Sequence, residues 1–380
     1  MIETPEVTVI LACRSERAYI EKCLHGALQF APPPGGFEII VADGLSEDGT
    51  REIVNRLAAE FPQLRLIDNA ARVTPAGLNA AIRAARGRII VRIDAHTEYA
   101  SDYLTECVTA LNRTGADNAG GPARTQAHGY LQKCIAAAYH SPFSVGGAKF
   151  HDVNYEGWVD TVTYGCWKKE AFDRYGDFDE DLVRNQDDEH NLRIIHGGGK
   201  IWQTPKIRSS YMPRSSMVAL FKQYMQYGYW KVRVIQKHML PASWRHVVPG
   251  AFVLTLLSLV LFCVFELLMA AFTPQLASSW LRIPISIFGY QLSVFSLGLL
   301  LVLGSYGVAV LAASWHTAWR TEWRFLAVLP FVFSCYHFGY GYGFLRGTID
   351  FLIMRRGGRG SFAKLTRDTG HSPAAVRSSG

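Results

Sequence analysis

The chain has no cysteine pattern. Its seven cysteines are scattered over 380 residues, with no CxxC pair and no Cys/His cluster at zinc spacing, which excludes a disulfide framework or a structural zinc. An odd, unpatterned set reads as buried thiols in a reducing compartment. A secretory leader is also missing. Met1-Ile2-Glu3-Thr4-Pro5 runs straight into a strand-like segment, without a basic start or an apolar core, so the N-terminal region is expected to be cytosolic. A basic groove is absent as well: the net charge is +7, but many of the cations flank apolar runs, which points to a membrane surface and away from nucleic acid. Long apolar runs are lacking before about residue 245 and dominate from there to about 354.

What is present first is an alternation of short elements. Val7–Ala12 is a β-branched run of the kind found in buried parallel strands. Tyr19–Phe30 has helical spacing and stops at Pro32-Pro33-Pro34-Gly35-Gly36. Strands are expected at Phe37–Ala42, Leu64–Ile67 and Arg88–Ile93, and helices at Arg51–Glu60 and Pro75–Ala85. Four strand–helix alternations with short connections imply an α/β fold, a mostly parallel sheet with helices on both faces, and ligands at the carboxyl ends of its strands. The division expected is a catalytic domain over 1–214, an amphipathic helix region over 215–246, a transmembrane region over 247–354 and a basic polar tail over 355–380.

Residues 215–240 mix Phe221, Tyr224, Tyr227, Tyr229 and Trp230 with Lys222, Lys231, Arg233 and Lys237, which suits a helix lying in the headgroup plane. Three apolar stretches follow, at 247–272, 285–313 and 325–345. The first carries a single charge, Glu266, expected to face protein or the interface. The second carries none and is the surest span. The third is rich in Phe, Tyr and Gly around His337, and reads as a packed helix in which the histidine bonds a neighbouring helix. Three spans would carry the C-terminus outside, whereas Arg346, Arg355, Arg356, Arg359, Lys364 and Arg367 favour the cytoplasm, leaving the topology open.

Chemistry-bearing residues fall at strand ends. Asp43 directly follows the second strand, where a carboxylate faces the crevice; Asp-Gly is also an ordinary turn pair. Asp94-Ala95-His96 follows the fourth strand and offers two donors that, with diphosphate oxygens, could share a divalent cation (Mn²⁺ or Mg²⁺); the alternative is a helix cap beside a surface histidine. The acidic run Asp177, Asp179, Glu180, Asp181, Asp187, Asp188, Glu189 reads mostly as a solvated loop, and one member after Arg184-Asn185 could be a general base whose pKa its neighbours raise. His140 and His151 are candidates for contact with the acceptor diphosphate, with packing or a surface role the commoner use. Trp167 is open to two readings, stacking on a sugar face or filling the core.

In order and spacing these features resemble the family 2 glycosyltransferases over roughly residues 5–240. The strings are Val7-Thr-Val-Ile-Leu-Ala-Cys-Arg-Ser-Glu16, Val41-Ala-Asp-Gly-Leu-Ser-Glu-Asp-Gly-Thr50, Arg88-Ile-Ile-Val-Arg-Ile-Asp-Ala-His96, Gly165-Cys166 with Lys168-Lys169-Glu170-Ala171-Phe172, and Asn185-Gln-Asp-Asp-Glu189. The resemblance implies a GT-A nucleotide-diphospho-sugar transferase fold and inversion at the anomeric carbon. It implies that Glu16 and Asp43 hold the nucleoside of a UDP-sugar, that Asp94 and His96 form the metal element, that Asp187 is the base, and that Arg72 approaches the diphosphate. The Asp-Ala-His form, Ser141-Pro-Phe-Ser-Val-Gly-Gly147 and His337-Phe-Gly-Tyr-Gly-Tyr-Gly-Phe-Leu-Arg-Gly347 narrow it to bacterial succinoglycan-type β-1,3-glucosyltransferases. Those imply a polyprenyl-diphosphate-linked acceptor at the inner membrane.

This chain departs from the family pattern at three places. His96 replaces the second aspartate of DxD, Gln186 precedes the base, and Gln226-Tyr-Gly-Tyr-Trp230 stands where processive synthases carry QxxRW. The last departure favours transfer of one sugar. The readings set against this one are a processive synthase and a non-catalytic membrane scaffold.

Overall fold

The computed structural model describes residues 4–239, 243–272, 282–287, 290–358 and 362. The chain forms two compact units, one built on Met1–Ala136 and Gly147–Ser215, the other on Ala137–Gly146 and Ser216–Phe362.

The first unit begins β1 (Val7–Cys13), α1 (Ile20–Leu28), β2 (Phe37–Asp43), α2 (Thr50–Glu60), β3 (Leu64–Asp68), α3 (Thr74–Ala84), β4 (Ile89–Arg92) and β5 (Thr97–Tyr99). It continues α4 (Tyr103–Thr114), β6 (Asn118–Gly121), β7 (Arg124–Thr125) and α5 (Tyr130–Tyr139). After α6 (Pro142–Val145) come β8 (Gly157–Trp158), β9 (Thr163–Lys168), α7 (Glu170–Tyr175), α8 (Gln186–His196), β10 (Ile201–Gln203) and β11 (Ser209–Tyr211). The main sheet has the order β3-β2-β1-β4-β9-β6-β10-β8, and β5, β11 and β7 make a smaller sheet. The expected parallel block is there: β1 pairs in parallel with β2 and β4, and β2 with β3. Beyond it β9 runs antiparallel between β4 and β6, which makes the sheet mixed.

The first strands read as unbroken apolar runs because both faces are covered. Val9 and Leu11 pack into a core on one side with Leu24, Val54, Leu104 and Leu111, while Ile10, Ile40 and Ile90 pack on the other with Leu78, Phe172 and Ile194. Each such side chain stabilises the fold by about 1.5–3 kcal/mol. Trp167 belongs to this second core. It is 1% exposed and packs on Phe172 and Phe178, which removes it as a sugar-stacking platform.

One carboxylate sits inside the sheet at its amino-terminal end. Glu38, on the second residue of β2, accepts from Thr8 Oγ1 (2.8 Å), the Arg86 backbone N–H (2.8 Å), Arg86 Nε (2.9 Å) and Arg65 Nη2 (3.0 Å). Burial alone would push its pKa up, but these donors outweigh burial and hold it below the usual glutamate range.

The second unit contains α6 and then α9 (Met217–His238), α10 (Val248–Phe272), a hairpin of β12 (Arg282–Ile287) and β13 (Tyr290–Ser293), α11 (Val294–Arg320) and α12 (Leu329–Gly347). Helix α9 packs against protein along much of its length. Tyr224, Tyr229 and Trp230 are buried, and the backbones of α9 and α12 touch. A Cβ on Gly343 would meet the Met225 carbonyl at 1.9 Å, and one on Gly347 the Tyr229 carbonyl at 2.6 Å, so glycines every fourth residue let the helices lie side by side.

Among the described residues, two helices are long and apolar enough to cross a membrane, Trp244–Phe272 and Val294–Arg320. The second begins nine residues later than the 285–313 stretch implied, because residues up to Ser293 belong to the hairpin. The third stretch forms α12, a 19-residue helix with packed glycines, and is not among the two. His337 bonds as expected, with Nδ1 3.1 Å from Tyr306 Oη on α11 and Nε2 2.8 Å from the Phe143 carbonyl. Glu266 accepts from Ser293 Oγ (2.5 Å), the N-cap of α11, so its charge lies at a positive helix end. Most of the expected tail, including Arg359, Lys364 and Arg367, lies outside the described residues.

Candidate active site

The site forms where β1, β2 and β4 end together and the strand order reverses, the crevice position of open α/β sheets. The loops after β1 and β2 are tied to each other. The Ser15 N–H donates to Ser46 Oγ (2.7 Å) and the Glu16 N–H to Thr50 Oγ1 (2.8 Å). Asp43, the last residue of β2, is fully buried. It accepts from the Ser46 N–H (2.8 Å), Ser46 Oγ (2.5 Å) and Arg51 Nη1 (3.0 Å), and Arg51 also reaches Asp68 (2.7 Å). Asp43 therefore organises the floor of the crevice. Arg72 sits on the exposed loop after β3, with φ 60.

After β4 the chain turns within four residues into β5. Asp94 Oδ1 accepts from the His96 N–H (3.3 Å), the Asp94 carbonyl accepts from the Thr97 N–H (3.2 Å), and the Asp94 N–H donates to Tyr99 Oη (2.7 Å). The His96 ring is half-exposed against the edge of Tyr19, with Nε2 3.1 Å from Glu16 Oε2. Glu16, Asp94 and His96 thus share one corner, yet among the described residues no three His, Cys, Asp or Glu side chains close around a common cation position. The donors fit a divalent ion held by Asp94 and His96 whose remaining ligands are substrate oxygens, and they do not fit a preformed all-protein cage.

Asn185, with φ 64, starts α8 and places Gln186, Asp187, Asp188 and Glu189 in its first turn. The structure separates the members of the acidic run. Glu189 is fully buried and receives Arg193 through both oxygens, at 3.0 and 3.1 Å. Arg193 also ties down the Asp177 carbonyl (2.6 Å), Arg83 pairs with Asp177 (3.0 Å), and Asn79 donates to Glu180 (2.9 Å). His190 stacks on Phe172, and burial pushes its pKa down to about 3, so it stays neutral. Asp187 reaches the end of β4, where it pairs with the Arg92 guanidinium. Its side chain remains about one-third exposed (33%), while Arg92 is 7% exposed. Burial pushes the Asp187 pKa up, Arg92 pulls it back, Asp188 and Asp94 raise it again, and the net is above the usual aspartate range.

Residues 8–143 match glycosyl transferase family 2. The succinoglycan biosynthesis protein ExoA of Rhizobium meliloti is 33% identical over 245 residues, 64% of this chain and 74% of that protein. The chain belongs to glycosyl transferase family 2. A dolichyl N-acetyl-α-D-glucosaminyl phosphate 3-β-D-2,3-diacetamido-2,3-dideoxy-β-D-glucuronosyltransferase of Methanococcus voltae is 27% identical over 263 residues, 67% of this chain and 81% of its own length. Among solved structures, the mannosyltransferase PcManGT of Pyrobaculum calidifontis, in complex with GDP-Man and Mn²⁺, superposes with a TM-score of 0.54 at 19% identity over 86% of each chain, a likeness of fold.

Sequence reasoning about this family 2 transferase missed Arg92, Tyr99 and Tyr164. Arginine inside the buried run Ile89–Arg92 was the available signal, since a buried guanidinium requires a counter-charge. Tyr164 has φ 62, rare for a bulky residue, and its Oη lies 2.5 Å from Thr97 Oγ1. Of the weaker candidates, His151 is buried against Phe150 and the His140 ring lies against Tyr139.

Proposed function

We propose that this family 2 transferase moves one sugar, glucose from UDP-glucose, onto a polyprenyl-diphosphate-linked saccharide during bacterial exopolysaccharide assembly. The observation that carries the reading is Asp187, a partly open carboxylate with a raised pKa at the start of α8, beside the Asp94–His96 corner. Glu16, Asp43 and Arg72 hold the donor. Asp187 takes the proton of the acceptor hydroxyl as its oxygen bonds to the anomeric carbon. The bond from that carbon to the diphosphate breaks, UDP leaves with the electron pair, and the single displacement inverts the centre. A divalent cation at Asp94 and His96 would neutralise charge on the diphosphate.

The lipid-linked acceptor is supported by the two long apolar helices and by the dolichyl phosphate in the name of the Methanococcus relative, and exopolysaccharide assembly by the name of the Rhizobium one. Residues 1–214 would then be the cytoplasmic catalytic domain, 215–246 would lie near the headgroups, and 247–354 would anchor the chain in the bacterial inner membrane, followed by the basic tail over 355–380. Single addition is favoured over processive synthesis because Gln226 and Trp230 are buried inside the second unit, with Trp230 Nε1 donating to the Phe362 carbonyl (2.9 Å). The test is a donor screen on membranes that carry polyprenyl-diphosphate-galactose, read by product mass. One added hexose from UDP-glucose is expected; no product with any donor, or a polymer ladder, would overturn the reading.

A further inference from the structure

We propose that Tyr99 and Tyr164 form a hydroxyl clamp that positions the Asp94–His96 turn for a divalent cation. This rests on the reading that Asp94 and His96 face the cation. The turn carries the chain from β4 in the main sheet to β5 in the smaller one, and Asp94 and His96 lie on it. A two-donor site completed by substrate has no cage to fix it, so its geometry depends on what holds the backbone behind it.

Both ends of the turn are held by a phenol. The Asp94 N–H donates to Tyr99 Oη at 2.7 Å, and Thr97 Oγ1 lies 2.5 Å from Tyr164 Oη. The tyrosines are themselves fixed. Tyr99 packs edge-on against Tyr103 (4.7 Å between ring centres), Phe30 (6.2 Å) and Tyr164 (5.8 Å), and Tyr103 has no exposure. These rings come from the loop after α1, from β5, from α4 and from β9, so the turn is referenced to three elements and a loop.

Tyr164 supplies the second argument. A tyrosine with φ 62, followed by Gly165 with φ 92, persists only where its surroundings over-determine it. The bond between its hydroxyl and Thr97 is such a determinant. Burial raises the pKa of both phenols, so they stay neutral and add no charge beside Asp94 and Arg92. Neither tyrosine touches the reacting atoms in this assignment; both are positioning residues.

The test uses the full-length protein in detergent with UDP, and reads bound Mn²⁺ by electron paramagnetic resonance beside the Mn²⁺ dependence of transfer. Tyr99→Phe keeps the ring and removes the acceptor of the Asp94 N–H. It should weaken Mn²⁺ binding about tenfold, the low end for loss of an outer-shell partner, with kcat at saturating Mn²⁺ and the unfolding midpoint close to wild type. Tyr164→Phe and Thr97→Val should each weaken Mn²⁺ binding in the same direction, and provide the reading should one variant fold poorly. Mn²⁺ affinity within twofold of wild type in all three, while Asp94→Asn abolishes it, would overturn the clamp and leave the metal corner standing. No response to Asp94→Asn would remove the metal reading and the clamp with it.

Discussion

Glu38 and Asp187, at the two ends of the central sheet, are held in opposite ways. At the amino-terminal end Glu38 is 1% exposed and takes four hydrogen bonds, from Thr8, Arg65 and Arg86, which hold it ionised. At the carboxyl-terminal end Asp43 is likewise buried among donors, whereas Asp187 has Arg92 on one side and solvent on the other. A carboxylate surrounded by donors is a structural member, because proton transfer or ligand binding would have to displace its partners. One left partly open is available to a substrate. The contrast therefore assigns roles by environment where charge density along the sequence could not.

The largest effect expected is at the open end. Asp187→Asn keeps the shape of the side chain and removes its basicity, so transfer should fall by about 10²–10⁴-fold, the range for a lost general base. UDP affinity, read by calorimetry, should stay within a few-fold of wild type. Retained turnover would move the base to another residue and dissolve the contrast.

At the closed end the same operation should act on stability. Glu38→Ala removes the acceptor of the Arg86 N–H and of the Thr8 hydroxyl proton and leaves two arginines without their carboxylate beside a cavity. Both arginines can turn to water, so the cost is about 3 kcal/mol, the low end for a broken buried pair. The midpoint of thermal unfolding should drop by roughly 6–12 °C. Activity of the folded fraction, measured below the transition, should be near that of wild type.

Much of this division was legible beforehand. Continuous apolar runs such as Val7–Ala12 announce strands covered on both faces, and an acidic residue closing such a run falls at the crevice, as Asp43 and Asp94 do. Helix α2 and α3 lie within a residue of their expected starts, since capping and turn residues are local signals. What was not legible depends on contacts across long separations. The insertion of β9 between β4 and β6 and the meeting of Arg92 with Asp187 95 positions later both follow from register between distant elements. The start of α11 was displaced because an apolar run of β-branched residues reads equally as strand or helix.

Acidification should separate the two ends without any mutation. The pKa of Asp187 is raised and the base must be ionised, so kcat should fall as pH drops through a value above the usual aspartate range. Protonating Asp187 does not threaten the fold, because a raised pKa means that the native state binds this proton more tightly than the unfolded chain does. Glu38 has the opposite sign. Its stability contribution is full above the unfolded glutamate pKa and is lost only as pH falls through its depressed native value. Activity should therefore disappear reversibly at a pH where tryptophan fluorescence still reports a native fold. Coincident loss of both would show that one titration governs the two ends.

The smallest effect is expected from Arg65→Ala. Its guanidinium is 38% exposed and donates to Glu38 Oε2 at 3.0 Å, but Arg86 reaches the same oxygen at 2.8 Å and would remain. Solvent screens the exposed partner, so the loss should be about 0–1 kcal/mol, far below that of Glu38→Ala. A loss matching Glu38→Ala would mean that Arg65 by itself keeps the carboxylate ionised. The closed end would then depend on a single cation, as Asp187 does on Arg92, and the partial exposure of Asp187 would be left as what distinguishes the two ends.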